Sequence, residues 1–199
     1  MKKFEIRIFL NGKYYTRRIS AISADSAIAM LKQRFSTAAG YRVVSIKELT
    51  SKKLYVAYGS NLHLAQMARR CPDAKVYGSG VIKNYRLAFY HVASILPESG
   101  TEVPVGVWTI SPQDEKNLDR YEGFPHLYRK ENIKVVMENG ETVTAMVYIM
   151  NRDGMESYPD SHYYNTIYTG YRSFGLDTEY LEKTVNNIPS RSWGFAGIR

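Results

Sequence analysis

Apolar and polar residues alternate with a period of two at the start of the chain, over residues 4–10. This alternation is typical of a half-buried strand. Asn11-Gly12 follows it and favours a type I′ hairpin turn, because both positions of such a turn need a positive φ. The pattern then predicts a returning strand from Tyr14 to Ile19.

A helix and a third strand complete this first segment. Ser23 is a suitable helix cap, and the apolar positions after it recur on one helical face. These positions are Ala24, Ala27, Ile28, Leu31 and Phe35. Gly40 favours the end of this helix, and the pattern of Tyr41–Ile46 predicts a strand. We therefore predict a small ββαβ module over residues 1–50, with Thr50–Lys53 as the joint to a second domain over 54–199.

The second domain shows short strand patterns separated by turn residues at Pro97, Gly100 and Asn139-Gly140. The predicted strands are Val81–Phe89, His91–Ile95, Val103–Ile110, Lys134–Met137 and Thr142–Tyr148. So many strands favour a closed or nearly closed mixed sheet. Ser111 and Pro112 begin a helix that Gly123 ends. Further helices are expected at 62–70 and 160–185, packed outside the sheet.

The stretch from Leu54 to Leu62 compresses a strand, a tight turn and a helix start into nine residues. Gly59 permits backbone conformations closed to other residues, and Ser60 or Asn61 can cap the following helix. Free N–H groups at such a turn can hold a carboxylate or a developing oxyanion. Many such turns, however, serve only to turn the chain and cap the helix.

Composition restricts the class of protein. With 44% hydrophobic and 23% charged residues, a chain of 199 residues fits a globular protein rather than a disordered one. No apolar run is long enough to span a bilayer or to form a secretory signal, so we expect a cytoplasmic protein without membrane contact. The single cysteine and the widely spaced histidines predict neither a disulfide nor a metal site.

The net charge of +8 is concentrated in the first quarter of the chain. Residues 1–53 hold 12 Lys and Arg against 3 Asp and Glu, whereas residues 54–199 hold 15 against 16. Such asymmetry can mark a surface for nucleic acid or an acidic partner, or only a solvated basic face. The candidate patch interleaves cations with tyrosines: Lys13, Arg17, Arg18 and Lys47 with Tyr14, Tyr15 and Tyr41.

Four stretches together resemble the γ-glutamylcyclotransferase-like family. Tyr58-Gly59-Ser60-Asn61 is similar to its substrate loop, and residues 70–89, 118–129 and 159–181 resemble later segments in the same order. The resemblance spans about residues 54–182. Phe124-Pro125-His126-Leu127 looks more like the branch acting on γ-glutamyl amines than the glutathione-degrading branch.

The resemblance implies an α+β fold, a small mixed β-barrel with flanking helices, here preceded by the ββαβ module. It also implies a cofactor-free enzyme that releases 5-oxoproline from a small γ-glutamyl amine or peptide, with Glu122 as the general acid and base. Its substrate-binding residues would be Tyr58, Gly59, Ser60, Asn61, Tyr128 and Tyr164. The alternative is a non-catalytic binding protein that docks on nucleic acid or an acidic partner through its basic module.

The residues around Glu122 support a catalytic role independently. Tyr121, Phe124, Pro125 and Leu127 would surround it with apolar groups, which raises the pKa of a carboxyl. The C-terminal end of a helix also disfavours negative charge. The competing interpretation is a solvated glutamate at the last turn of a helix.

Overall fold

The computed structural model describes residues 1–35, 38, 40–49, 52–151 and 154–189. The chain divides into two units, Met1–Ser51 and Lys52–Arg199. Thr50 and Ser51, half of the predicted joint, lie outside the described residues. No helix in the described part of the chain combines the length and apolar character that crossing a membrane requires.

The first unit has the predicted ββαβ order. Its elements are β1 (Lys2–Leu10), β2 (Lys13–Ala21), α1 (Ala24–Phe35) and β3 (Arg42–Leu49). The strands form an antiparallel sheet in the order β2-β1-β3. Asn11 and Gly12 have φ of 48° and 77°, as a type I′ turn requires. The Ser23 hydroxyl accepts the Ser26 N–H at 3.1 Å, which confirms the predicted helix start.

One face of this sheet carries the core of the first unit. The alternate residues of β1 are buried there together with two residues of α1 and the last residue of β2. The core consists of Phe4, Ile6, Ile8, Ala21, Ala27 and Leu31. The intervening residues of β1 point to the opposite face, because successive side chains of a strand alternate.

The second unit contains the predicted mixed barrel. Its strands are β4 (Lys53–Ala57), β5 (Lys75–Tyr90), β6 (Val92–Ile110), β7 (Tyr128–Met137) and β8 (Thr142–Met150). They close in the order β4-β6-β5-β7-β8. Most neighbours are antiparallel, and the parallel pairing of Tyr55 with Met146 joins β4 to β8. The interior is filled with buried aliphatic and aromatic side chains.

The prediction of several short strands between 81 and 110 was wrong, because β5 and β6 form one long hairpin. Lys83 pairs with Glu102 and Tyr85 with Pro97, so β6 bulges outward opposite Asn84. Asn84 has a φ of 60° and accepts the Gly100 N–H at 3.1 Å. Pro97 and Gly100 therefore shape a bulge and do not end a strand.

The described helices of this unit are α2 (Leu64–Arg70), α3 (Pro112–Glu122), α4 (Ser161–Phe174) and α5 (Thr178–Asn186). For α3 the predicted ends are confirmed: Ser111 and Asp114 form a capping box, and Gly123 closes the helix with φ 61°. The region 160–185, predicted to be helical, contains the two helices α4 and α5, because Gly175 ends α4 with a φ of 69°.

The predicted helix start after Gly59 needs a correction. Residues Ser60–Leu62 form a separate 3₁₀ turn, in which the Leu62 N–H donates to the Gly59 carbonyl at 2.9 Å. The cap of α2 is His63, whose Nδ1 accepts the Gln66 N–H at 3.4 Å, rather than Ser60 or Asn61. The turn thus leaves the side chains of Ser60 and Asn61 available for other contacts.

Helix α4 fixes the position of this turn. Gly170 lies so close to it that an added Cβ would be 2.5 Å from the Leu62 Cβ and 3.0 Å from the His63 nitrogen. Leu62 is fully buried, and Gly106 of β6 makes room for it from the other side. The turn is therefore held between α4 and the barrel wall.

Candidate active site

A cavity of about 280 Å³ lies beside the 3₁₀ turn. We call it the site cavity. Its walls come from β4, the turn, the β5–β6 hairpin, the end of α3, β7, β8 and α4. It is lined by Tyr55, Tyr58, Gly59, Ser60, Asn61, Val92, Ala93, Tyr121, Glu122, Leu127, Tyr128, Tyr148 and Tyr163. Apart from Tyr164, the structure brings all the predicted site residues together here.

Glu122 is the last residue of α3, and its carboxylate faces the site cavity. Its Oε1 accepts a hydrogen bond from Asn61 Nδ2 at 2.7 Å. Burial raises the pKa of Glu122 to about 7, although the Asn61 hydrogen bond and the positive charge of Arg70 act in the lowering direction. A carboxyl with this pKa can exchange a proton near neutral pH.

The apolar surround of Glu122 differs in part from the predicted one. Tyr121 and Leu127 line the site cavity, but Phe124 and Pro125 are exposed and do not. The Phe124 ring lies instead under the Lys130 ammonium, 4.6 Å from the ring centroid. Four tyrosines from the barrel strands and the end of β4 line the same cavity as the carboxyl. These are Tyr55, Tyr58, Tyr128 and Tyr148.

Asn61 is oriented by three polar contacts. Its Oδ1 accepts from Arg70 Nη1 at 2.6 Å, and its Nδ2 donates to Glu122 and to the Tyr55 hydroxyl, each at 2.7 Å. The Arg70 guanidinium also lies over the Tyr121 ring, 3.5 Å from the centroid. The sequence analysis gave Arg70 no role in the site. Its contacts across the turn have no signal in the local pattern.

Removal of the Arg70 charge is expected to raise the pKa of Glu122 further above about 7, because this charge favours the ionised carboxylate. The measurement is a titration of Arg70→Gln by ¹³C NMR of the glutamate carboxyl carbons. Arg70→Lys is the matched control, since it keeps the charge and should change the pKa less. An unchanged or lower pKa in Arg70→Gln would show that Arg70 does not act on this carboxyl.

Gly59 is needed for space rather than for a left-handed backbone. Its φ is −119°, which lies outside the left-handed region. An added Cβ would lie 3.2 Å from the Ala93 Cβ and 3.3 Å from the Tyr163 hydroxyl. Glycine therefore lets the turn approach the β5–β6 hairpin and α4.

Tyr58 and Tyr128 have their hydroxyl protons committed to the backbone. Tyr58 donates to the Tyr148 carbonyl at 2.6 Å, and Tyr128 donates to the Ala93 carbonyl at 3.0 Å. Burial raises the pKa of both hydroxyls, so both stay protonated. They consequently offer acceptor lone pairs and ring faces to a ligand.

Tyr164 does not line the site cavity; its neighbour Tyr163 does. Consecutive residues of a helix point about 100° apart, so only one of the two can face the cavity. Tyr164 packs towards Tyr168 on α4, with ring centroids 6.2 Å apart. Tyr163 accepts the Ala93 N–H at 3.2 Å, and burial raises its pKa to about 12.

The sequence analysis also did not identify a polar network behind the site cavity. The Tyr148 hydroxyl donates to Asp119 Oδ1 at 2.6 Å, and Lys130 bridges Asp119 and Glu115 at 2.7 Å and 2.8 Å. These contacts join β7 and β8 to α3. The alternation along β8 could have placed Tyr148 on an inward face, but the pairing with α3 depends on the closed barrel.

The site cavity combines acceptor groups with a turn that can donate. Ser60 and Asn61 begin the 3₁₀ turn, so their N–H groups have no acceptor within it. The Glu122 carboxylate and several tyrosines line the same cavity. In the part of the chain that the structure describes, no group of three or more His, Cys, Asp or Glu residues is arranged to hold a metal ion. The arrangement suits a ligand with an ammonium group and an oxygen that gains negative charge.

Comparisons with known proteins agree with this geometry. The family model for "Gamma-glutamyl cyclotransferase, AIG2-like" matches residues 55–166. The γ-glutamylcyclotransferase of Homo sapiens is 31% identical over 144 residues, which cover 65% of this chain and 76% of the human protein. The protein of the same name from Bos taurus is 31% identical over 149 residues, 68% of this chain and 78% of that protein.

Solved structures show the same fold. A γ-glutamyl cyclotransferase structure matches with a TM-score of 0.63 and 26% identity, covering 72% of this chain and 92% of that chain. The crystal structure of YkqA from Bacillus subtilis matches with a TM-score of 0.61 over 95% of this chain and 89% of its own; at 17% identity this shows the fold alone. The matched family segment contains the turn, Glu122 and the tyrosines of the site cavity, and the chain belongs to the AIG2-like γ-glutamyl cyclotransferase family.

Proposed function

We propose that this protein is a γ-glutamyl cyclotransferase that releases 5-oxoproline and a free amine from a γ-glutamyl compound. The observation that carries the proposal is the position of Glu122. Among the described residues that line the site cavity it is the one carboxylate, and its pKa is about 7. The family membership and the names of the relatives support the same reaction.

The reaction needs no external nucleophile, since the substrate supplies its own α-amino group. The Glu122 carboxylate takes a proton from the α-ammonium group, and the freed nitrogen attacks the γ-carbonyl carbon of the same molecule. The proton held by Glu122, and the second proton that the attacking nitrogen gives up as the ring closes, both pass to the leaving nitrogen as its bond to that carbon breaks, so the amine leaves as an ammonium ion. The products are the five-membered lactam 5-oxoproline and the amine, so the atoms balance without water.

The cavity wall has two further roles in this proposal. The tyrosine rings hold the substrate folded, with its amine against its own carbonyl, which is a proximity effect. The N–H groups of Ser60 and Asn61 hold the carboxylate or the developing oxyanion. Tyr58, Tyr128 and Tyr163 accept hydrogen bonds from the ammonium group. Because Gly59 has no side chain, the turn lies close to Ala93 and Tyr163, so that its N–H groups and the tyrosine hydroxyls can contact one substrate.

The mouth of the site cavity supports an apolar leaving amine. Val92, Tyr121 and Leu127 line the cavity and are also exposed, with 37%, 47% and 64% of their surface accessible. No lining residue in the described part of the chain other than Glu122 carries a charge. An alkyl chain on the leaving amine would therefore bury apolar surface at the mouth.

We expect 5-oxoproline release from γ-glutamyl compounds, fastest with alkylamines. The panel is γ-glutamyl-n-butylamine, γ-glutamyl-ε-lysine, γ-glutamyl-alanine and glutathione, with 5-oxoproline quantified by chromatography. Leu127→Ser should lower kcat/KM for the butylamine about ten-fold, roughly what one lost apolar contact costs, and leave γ-glutamyl-alanine nearly unchanged.

The outcomes of this assay separate the reaction from the leaving group. Release from none of the substrates by the folded protein would refute the cyclotransferase proposal. Release without preference for the alkylamine, or an equal effect of Leu127→Ser on all substrates, would refute the apolar mouth while leaving the reaction in place.

A further inference from the structure

The sheet of the first unit has a face that none of the described helices and strands of that unit covers. Helix α1 packs against the face that carries Phe4, Ile6 and Ile8. The register of the sheet places the other residues of β1 in three cross-strand rows on the opposite side. In these rows Glu5 lies between Arg18 and Lys47, Arg7 lies between Thr16 and Ser45, and Phe9 lies between Tyr14 and Arg42. We call these nine residues the open sheet face.

The open sheet face is strongly basic. Arg7, Arg18, Arg42 and Lys47 are exposed on it. Glu5 is its single acidic group among the described residues of the three rows, and it is already paired with Arg18 at 3.2 Å. The excess positive charge of residues 1–53 is thus presented in part on one flat surface, which favours a polyanion.

Aromatic rings lie between these cations. Phe9 and Tyr14 meet edge to face with centroids 5.1 Å apart, and Tyr14 is 53% exposed. The Arg7 guanidinium lies 4.6 Å from the Tyr14 centroid, and that of Arg42 lies 4.8 Å from the Phe9 centroid. Exposed rings and guanidinium planes on a sheet are the groups on which unpaired bases stack.

The predicted patch is corrected by this geometry. Arg17 is opposite Ile6 and therefore points to the side of the sheet that carries α1, where it lies over Tyr15 at 5.5 Å. Tyr15 and Tyr41 pack against the core of the unit. The cations that share the open face with Arg18 and Lys47 are Arg7 and Arg42, which only the register reveals.

From this arrangement we propose that the open sheet face binds single-stranded nucleic acid. The bases stack on Phe9 and Tyr14, and the four cations contact the phosphates. An acidic polypeptide would use the cations but would leave the aromatic surface without a stacking partner. The open sheet face belongs to the first unit, and its proposed binding does not depend on the proposed reaction.

Binding is tested with the full chain and fluorescein-labelled single strands of DNA and RNA of about 12 nucleotides, a length within the site size of such surfaces. Fluorescence anisotropy is measured at several salt concentrations. We expect binding that weakens with salt. Tyr14→Ala should weaken binding about ten-fold, which is about the cost of losing one stacked base. Arg7→Gln with Arg42→Gln should lower the salt slope by about 1.4, the contribution of two phosphate contacts on a single strand.

Lys32→Gln is the matched control, because Lys32 is exposed on α1 and away from the open sheet face. It should change the affinity less than two-fold, or about 0.4 kcal/mol by the relation between affinity and free energy. The absence of binding at low salt would overturn the proposal. Equal binding of poly-glutamate would also overturn it, because that result would assign the face to acidic polypeptides. An affinity for the DNA and RNA strands that Tyr14→Ala leaves unchanged would overturn it too, because the bases would then not stack on this face.

Discussion

Glu122→Gln is expected to lower the rate of 5-oxoproline release about a thousand-fold, within the range that general acid–base catalysis contributes. Glutamine has nearly the same shape, and its amide oxygen can keep the hydrogen bond from Asn61. It cannot accept the proton of the substrate ammonium. The loss should therefore be in kcat, with little change in substrate binding, which isothermal titration of the variant with the substrate would measure.

The pH dependence of the wild type gives an independent readout. Because the reaction needs ionised Glu122, kcat/KM should rise with pH around a midpoint near the Glu122 pKa of about 7. If the carboxyl had an ordinary pKa of about 4.3, this rise in kcat/KM, the acidic limb of the pH profile, would occur at a far lower pH. Glu122→Gln should remove the limb from its residual activity.

The raised pKa of Glu122 also predicts how the stability of the protein depends on pH. In the folded protein Glu122 has a pKa of about 7, above its value in the unfolded chain. The folded state therefore binds more protons between these two values, and stability falls as pH rises through that window. Glu122→Gln should remove this loss and unfold at a higher temperature than the wild type at pH 8. At pH 4 the two should be alike.

Glu179→Gln is a suitable control for both measurements, since Glu179 is exposed at the start of α5 and does not line the site cavity. It should leave the activity and its pH limb unchanged. Turnover by Glu122→Gln at the wild-type rate would remove Glu122 from the mechanism. An acidic limb that persisted in this variant would assign the titration to another group.

The sequence was most informative where local chemistry decides the structure. Asn11-Gly12, the capping residue Ser111 and the closing residue Gly123 each act within a few residues of the chain, and the structure confirms all three. The long β5–β6 hairpin was not predicted. Its bulge depends on Asn84 reaching Gly100 across the sheet, and that contact joins residues far apart in the sequence.

The site shows the same limit. Family resemblance located the turn and Glu122, and the local pattern suggested a raised pKa. Arg70, Tyr55 and Tyr148 reach Asn61 or the cavity only after the barrel has closed, so no spacing in the sequence marks them. Tyr163 and Tyr164 are adjacent in a tyrosine-rich stretch, and only the rotation of α4 about its axis decides which one faces the cavity.

Gly170→Ala is expected to destabilise the protein by about 2 kcal/mol, a typical cost of overpacking. Helix propensity alone predicts the opposite sign, since alanine in a helix interior is favoured over glycine by about 1 kcal/mol. Packing decides here, because the new Cβ would lie 2.5 Å from the Leu62 Cβ and 2.8 Å from the Leu62 carbonyl carbon. Backbone atoms cannot rotate away, so α4 or the turn must move.

The expected signature is a fall in melting temperature of about 5 °C for a unit of this size, together with a loss of turnover. Activity should fall because the same turn carries Ser60 and Asn61, which line the site cavity, and the Asn61 side chain donates a hydrogen bond to Glu122. Thr169→Ala is the neighbouring control: Thr169 is exposed on α4, so its replacement should change stability by no more than about 0.5 kcal/mol. If Gly170→Ala were as stable and active as Thr169→Ala, the turn would not be held by α4, and the geometry of the oxyanion contact would need another support.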